Sequence, residues 1–314
     1  MRHDTCEAVL LIGFGGPTQP EEIRPFLANV LRGRTFPPGR IEEVVRHYEV
    51  IGGKSPYNKL TFLQADALRK LLQQEGPPMP VYVGMRNWHP LLAEVLLQIV
   101  QDGVKSALGF ILAPHQGQAS WGRSRSAVQE AQSRVQSELG MDAPRVHYCE
   151  PWFNHPSFVE AVSERLNSTL LQIPKERRDQ LKVLFTAHSV PVAQAGSYVE
   201  QLMETCTAVA ESIGLSTWEL VYQSRSGSPH EPWLGPDVGD AIVRFSQEGL
   251  KDVLLAPIGF ICDHVEVLYD LDVQAREIAR DRGIGFFRAG TVNDHPSFIR
   301  MMADVVRRGM TEVG

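Results

Sequence analysis

A chain that contains the same unit twice is restricted to folds that can be built twice, and this chain carries such a duplication. Asn154-His-Pro-Ser-Phe-Val159 recurs as Asp294-His-Pro-Ser-Phe-Ile299, 140 residues further on. Gly103-Val-Lys105 and Leu112-Ala-Pro114 recur as Gly249-Leu-Lys251 and Leu255-Ala-Pro257, with the prolines 143 apart. Val81-Tyr-Val-Gly-Met-Arg86 resembles Leu220-Val-Tyr-Gln-Ser-Arg225 at an offset of 139. Order is kept and spacing nearly so, which means each half repeats one succession of elements.

Those elements alternate in type. Apolar runs punctuated by Gly and Pro predict strands at 9–17, 80–86, 103–114, 146–150, 182–191 and 218–223, a strand starting at 253, and one at 286–290. Amphipathic periodicity predicts helices over 41–49, 91–101, 124–139, 155–171, 198–213, 238–248 and 296–309. Strands separated by helices of this length make βαβ units and parallel sheets. The expected fold class is α/β, with two similar doubly wound parallel-sheet, Rossmann-like domains and an interdomain cleft. The domains are expected at residues 1–152 and 153–314, the last helix, about 296–309, being free to pack back on the first. Ligands of such sheets bind at the carboxyl ends of the strands, so facing ends would line the cleft.

The halves differ in one place. The first strand, ending Gly15-Gly-Pro17, matches the strand ending His188-Ser-Val-Pro191, but at an offset of 174. The first half therefore holds about 35 additional residues, and they fall in a segment at about 18–60. That segment carries Arg32, Arg34, Arg40, Arg46, Lys54 and Lys59 in a chain whose net charge is −6. It reads either as a solvated surface or as a flap whose cations anchor the carboxylates or phosphates of a ligand.

A net negative charge leaves no electrostatic footprint for nucleic acid. No apolar run approaches the roughly 20 residues of a spanning helix, and the start of the chain lacks a signal peptide's apolar core, so a cytoplasmic protein is expected. Cys6, Cys149, Cys206 and Cys262 show no C-x-x-C spacing, which points to reduced thiols and away from a local zinc or iron–sulfur motif. Gly13, Gly15 and Gly16 stop short of a nucleotide fingerprint, because Thr18 stands where the third glycine belongs and Pro17 removes an N–H. A backbone stripped of side chains to admit a flat ligand fits better.

Chemistry concentrates in the second half. The stretch Ala256 to Asp272 places Asp263, Glu266 and Asp270 at i, i+3 and i+7, one face of a continuous helix. Such a row serves a cation or a cation path; alternatively Asp263 is the N-cap and Glu266 the N3 residue of a capping box. His188 sits at the carboxyl end of its strand, where an imidazole can act as base or ligand. A histidine facing carboxylates suits a borderline divalent ion. Phe14 and Trp233 lie in cleft loops and are candidates for stacking on a flat ligand, while His89 and His115 sit where they could touch one.

Four motifs taken together resemble the ferrochelatase family: Tyr48-Glu-Val-Ile-Gly-Gly-Lys-Ser-Pro56, Ala187-His-Ser-Val-Pro191, Pro232-Trp-Leu-Gly-Pro-Asp237 and Pro257-Ile-Gly-Phe-Ile-Cys-Asp-His-Val-Glu-Val-Leu-Tyr-Asp270. The resemblance spans essentially the whole chain and is greatest to the short soluble bacterial forms. It implies insertion of Fe2+ into a porphyrin, protoporphyrin IX or coproporphyrin III, with release of two protons in haem biosynthesis. His188 and Glu266 match the catalytic, iron-binding pair that faces across the porphyrin centre. Asp270 matches a further acid on a metal entry path, whose next acid is replaced by Gln274, so that the path is shortened or uses Asp272. Phe14, Arg32, His47, Tyr48, Ser55 and Trp233 are the implied porphyrin contacts.

Four departures weigh against coproporphyrin, whose four carboxylates need more anchors than the two of protoporphyrin. Phe14 replaces a cleft tyrosine, Leu31 the first of two flap arginines, His47 an arginine, and a third-strand tyrosine falls near Ser124. The resemblance further implies a monomer with porphyrin and ferrous iron as its only partners. It implies no resident cofactor, since iron is the substrate and the chain ends at Gly314 without a cysteine-bearing extension for an iron–sulfur cluster. Two alternatives share the architecture: a porphyrin or haem carrier, against which the His188/Glu266 pair speaks, and a cobalt chelatase.

Overall fold

The computed structural model describes residues 6–32, 39–178, 180–226 and 231–313. Arg34 of the basic segment lies outside them. Strands β1 (Ala8–Gly13), β2 (Val81–Met85), β3 (Ser106–Ile111) and β4 (Arg145–Tyr148) form one parallel sheet in the order β2-β1-β3-β4. Strands β5 (Leu181–His188), β6 (Trp218–Gln223), β7 (Asp252–Ala256) and β8 (Gly285–Arg288) form a second in the order β6-β5-β7-β8, also parallel. The two orders are the same order shifted by four strands, as the duplication requires, and the fold is the doubly wound α/β class. In each sheet the chain direction across the sheet reverses at the first strand of the half, β1 or β5, which is where such folds place ligands.

The central strands are covered on both faces. Every residue of β1 and of β7 is buried, and continuous apolar runs are what a parallel strand sandwiched between helices demands. The helices are α1 (Ile23–Val30), α2 (Arg40–Val50), α3 (Tyr57–Glu75), α4 (Leu92–Gln101), α5 (Arg123–Leu139), α6 (Pro156–Gln172), α7 (Lys175–Arg178), α8 (Tyr198–Ser212), α9 (Val238–Gln247), α10 (Val265–Leu268), α11 (Arg276–Asp281) and α12 (Pro296–Val313). None is long and apolar enough to cross a membrane, among the described residues.

One apolar core runs through both halves. Trp152 is its hub, with ring centroids 5.5 Å from Phe110 of β3, 5.1 Å from Phe158 of α6 and 5.8 Å from Phe298 of α12. The same buried cluster continues to Val183 and Phe185 of β5. The repeated His-Pro-Ser-Phe motif explains the joint. His155 and His295 cap α6 and α12 in the same way, each Nδ1 accepting the backbone N–H two residues on at 3.2 Å. Glu160 pairs with Arg300 at 3.1 Å and Glu164 with His295 at 3.1 Å, so the duplicated helices run antiparallel. Helix α12 also reaches the first sheet: Arg307 donates to the Gly76 carbonyl at 2.9 Å, and a methyl at Gly309 would stand 2.9 Å from the Leu108 side chain.

The additional residues of the first half form α1 and α2, which hold a small core of their own from Ile23, Phe26, Leu27, Val45 and Tyr48. Trp88 and, from the second half, Val265 pack against it, so the flap rests on both halves. Helix α3 was not expected from the sequence, since its start was read as the end of the flap. Its buried positions Tyr57, Asn58, Thr61, Gln64, Ala65, Leu68 and Leu72 do follow helical spacing, but Asn58, Thr61 and Gln64 are polar and weaken the pattern.

Candidate active site

At the carboxyl end of β5 two of the sequence motifs interlock. The Ser189 N–H donates to the Gln223 carbonyl at 2.8 Å, Val192 N–H to Pro232 at 2.9 Å and Leu234 N–H to Val190 at 3.0 Å. The Ser189 hydroxyl donates to the Leu234 carbonyl at 2.8 Å. The His-Ser-Val-Pro turn and the Pro-Trp-Leu-Gly-Pro loop therefore brace each other and fix the ring of His188. Its Nδ1–H donates to the Ser189 carbonyl, which turns Nε2 toward Glu266, whose Oε1 lies 3.6 Å away. The two side chains are 30% and 37% exposed, open enough to meet a ligand.

Glu266 arrives from the loop after β7. That loop lies directly on β5: the Gly259 N–H donates to the Thr186 carbonyl at 3.1 Å, and a methyl at Gly259 would stand 2.8 Å from Cα and 2.9 Å from Cβ of Ala187. Backbone cannot yield as a flexible side chain does, so Gly259→Ala should cost about 1–3 kcal/mol. A thermal melt would show this as a midpoint lowered by roughly 2–4 °C per kcal/mol. An unchanged midpoint would mean that the loop stands further from β5.

Beyond the loop the sequence expectation needs correction. Asp263, Glu266 and Asp270 do not share one α-helical face. Helix α10 covers only Val265–Leu268, and Asp270–Ala275 is π-helical, with Gln274 N–H donating to the Tyr269 carbonyl at 2.9 Å. The cap is His264, whose Nδ1 accepts the Glu266 N–H at 3.2 Å. Asp263 instead accepts from Arg288 at 3.3 Å and from the Thr291 hydroxyl at 3.1 Å. Arg288 also grips both oxygens of Asp272 at 2.7 Å each, which commits that acid to an ion pair, and Gln274 is exposed. Single π turns are rare and cluster at functional sites; here the turn leaves Glu266 and Asp270 as the acids turned to the cleft.

Electrostatics sort the three groups. Burial opposes a charge on His188, but the Glu266 carboxylate and the Ser189 carbonyl outweigh it and hold the imidazole above its ordinary value. Burial likewise opposes the Glu266 charge, yet His188, then His264 and Arg40, bring it down to about 2. Each group thus favours the charged form of the other. Asp270 is pushed up to about 7, by burial first, against the lowering effect of a hydrogen bond from Ser224.

The expected porphyrin contacts separate into exposed or half-buried residues and buried ones. Phe14 is 41% exposed, edge-on to Phe26 at 6.2 Å, with the Arg86 guanidinium 5.3 Å from its ring centroid. Arg32 is exposed at the end of α1, its guanidinium on Asn29 at 2.9 Å. Trp233 is half-buried, bridged to Pro191, and its indole N–H has no partner among the described residues. Tyr48 and Ser55 are buried. Tyr48 packs edge-on to Phe26 at 6.1 Å; Ser55 bonds the Pro17 carbonyl at 2.7 Å, and its Cβ would stand 2.8 Å from a methyl at Gly16. His47 stacks on Tyr269 at 3.7 Å and 12°, joining the flap to the acid-bearing segment. His115 is buried, 3.0 Å from the Thr205 hydroxyl, and burial lowers its pKa to about 3, so it ties β3 to α8; His89 is exposed beside Glu94. Sequence reasoning gave no role to Gln223, Ser224 and Tyr269, which touch the acids or their segment. Nothing in their residue types would have marked them.

Among the described residues no three His, Cys, Asp or Glu side chains converge as a metal cage.

Comparison with known proteins identifies the family. The family model described as Ferrochelatase matches residues 6–310. A ferrochelatase of Rhodopirellula baltica is 40% identical over 304 residues, covering 96% of this chain and 85% of the relative. A coproporphyrin III ferrochelatase of Nocardia farcinica is 37% identical over 313 residues, covering 96% and 87%. One of Mycobacterium leprae is 38% identical over 305 residues, covering 96% and 88%. Among solved structures, SirB from Bacillus subtilis with Fe3+ superposes with a TM-score of 0.58 at 12% identity, covering 98% of this chain and 96% of SirB, a likeness of fold.

Proposed function

The chain belongs to the ferrochelatase family, and from that premise we propose that it inserts ferrous iron into coproporphyrin III, with His188 and Glu266 as the reacting pair and Asp270 as the outer iron acid. The observation that carries the assignment is the 3.6 Å approach of His188 Nε2 to Glu266 Oε1 at the carboxyl end of β5. Metal insertion removes two pyrrole N–H protons as iron–nitrogen bonds form. Imidazole and carboxylate suit a borderline divalent ion such as Fe2+. Iron arriving on Glu266 withdraws the carboxylate's support for a proton on His188, so any such proton is released to solvent. Neutral Nε2 then accepts one pyrrole proton, passes it to solvent and accepts the second.

The choice of porphyrin rests on relatives named coproporphyrin III ferrochelatase and on the cations bordering the cleft. Phe14 lacks a hydroxyl, but Arg86 supplies a cation over the same ring, and Arg32 and Arg46 are exposed on the flap. A hydrogen bond to a charged group is worth roughly 1.5–3 kcal/mol, so each additional anchored carboxylate should contribute about tenfold or more. Side-by-side anaerobic insertion assays should therefore give a higher kcat/KM with coproporphyrin III than with protoporphyrin IX. The reverse order would favour protoporphyrin, as the Phe14 and Leu31 departures suggest.

The cytoplasm is the chain's proposed location, in keeping with four free thiols.

A further inference from the structure

Ser224 follows β6 with φ 62, and only it and Asn293 among the described non-glycine residues have positive φ. That region is costly for an L residue, least so for Gly and Asn. Non-glycine residues held there tend to cluster where function demands it. The duplication supplies an internal control. By strand register Met85 is the counterpart of Tyr222, so that of Ser224 is Asn87, which does not have positive φ. The left-handed turn is peculiar to the half that carries the acids.

The turn aims the Ser224 hydroxyl at Asp270, and Oγ donates to Oδ2. The preceding residue acts on the same segment: Gln223, almost wholly buried, donates through Nε2 to the Glu266 backbone carbonyl. Gln223 is also the Cα partner of His188 across the β5–β6 ladder. One strand end thus flanks the proposed base and holds both acids, one by its backbone and one by its carboxylate.

We propose that Ser224 is the positioning residue that fixes the Asp270 carboxylate for passage of ferrous iron to Glu266. A freely rotating Asp270 would present its oxygens to the ion in many orientations. The hydroxyl restricts it to one and occupies one of its two oxygens. The inference rests on the reading of Asp270 as the outer iron acid, so both are tested together.

The experiment measures anaerobic steady-state kinetics on the full chain, varying Fe2+ and porphyrin separately. Ser224→Gly keeps the left-handed backbone and removes the hydroxyl. It should raise the KM for iron about tenfold, the scale of one lost hydrogen bond to a charged group. The KM for porphyrin should stay within about twofold and the melting midpoint should not fall, because glycine relieves the backbone. Ser224→Asn, which tolerates the conformation and restores a donor, should recover most of the loss. Asp270→Asn should raise the iron KM at least as much, and the double variant should be no worse than Asp270→Asn alone, since the two act as one unit. If Asp270→Asn raises the iron KM and Ser224→Gly does not, Ser224 has no positioning role. The inference falls equally if Ser224→Gly raises both KM values alike, if Ser224→Asn is no better than Ser224→Gly, or if the losses add. An iron KM unmoved by Asp270→Asn removes the reading of Asp270, and this inference with it.

Discussion

His188→Ala should abolish iron insertion while leaving porphyrin binding and folding in place. Positioned acid–base groups contribute roughly 10²–10⁴-fold, and His188 is in addition one of only two groups proposed to hold the ion, so a loss at or beyond the upper end of that range is expected. The fold should tolerate the change. The side chain is 30% exposed, and its recorded partners are the Ser189 carbonyl and the Glu266 carboxylate. The turn that carries it is fixed by backbone bonds to Gln223, Leu234 and Pro232 that alanine preserves. Porphyrin should still bind, since Phe14, Arg32, Trp233 and the flap are untouched. Porphyrin absorbance titration, a melting curve and an anaerobic insertion assay on one preparation separate these claims. Turnover near that of the parent would place the proton acceptor elsewhere, and loss of porphyrin binding together with activity would make His188 a binding residue.

The architecture was legible because the duplication and the apolar runs are properties of the chain itself. Eight buried stretches predicted eight strands, and all eight are present in two sheets of the same order. Helix α3 escaped notice because inward positions such as Thr61 and Gln64 are polar. They are tolerated because they are bonded, Thr61 to the Tyr57 carbonyl at 3.0 Å and Gln64 to the Asn293 carbonyl at 2.9 Å, partners that are distant in sequence in the second case. The π turn at Asp270–Ala275 was invisible for a different reason. An α and a π reading of one sequence differ only in which carbonyl an N–H chooses, and tertiary constraints make that choice. Arg288 supplies such a constraint: by gripping Asp272 and Asp263 it draws the far side of the segment onto β8. Periodicity counted three acids on one face; Arg288 takes the first of them away.

Glu266→Gln should lower kcat/KM for iron by roughly 10²-fold or more, because even groups that only orient metal ligands are worth 10–100-fold, and Glu266 is proposed to touch the ion. Its pH profile carries the sharper test. In the parent, Glu266 keeps a proton on His188 above the ordinary value of 6.5, and iron must displace that proton. Below the raised pKa of His188 the rate of iron uptake should therefore increase with pH, and it should level off once that pKa is passed. Glutamine removes the main support of the imidazolium, and burial, which acts in the opposite sense, is left largely unopposed. The acid limb of the variant should therefore move to lower pH even as its plateau falls. Stability should respond with the sign the same shifts dictate. The Glu266 contribution is fully present above its unfolded value near 4.5 and is lost as pH falls toward 2; that of His188 is present below 6.5 and is lost as pH rises through its raised pKa. The pair is thus most stabilising between those two ordinary values, and the gap in melting midpoint between parent and Glu266→Gln should be widest there. An acid limb that stays in place, or moves upward, would mean that the group titrating in iron uptake is not His188 paired with Glu266.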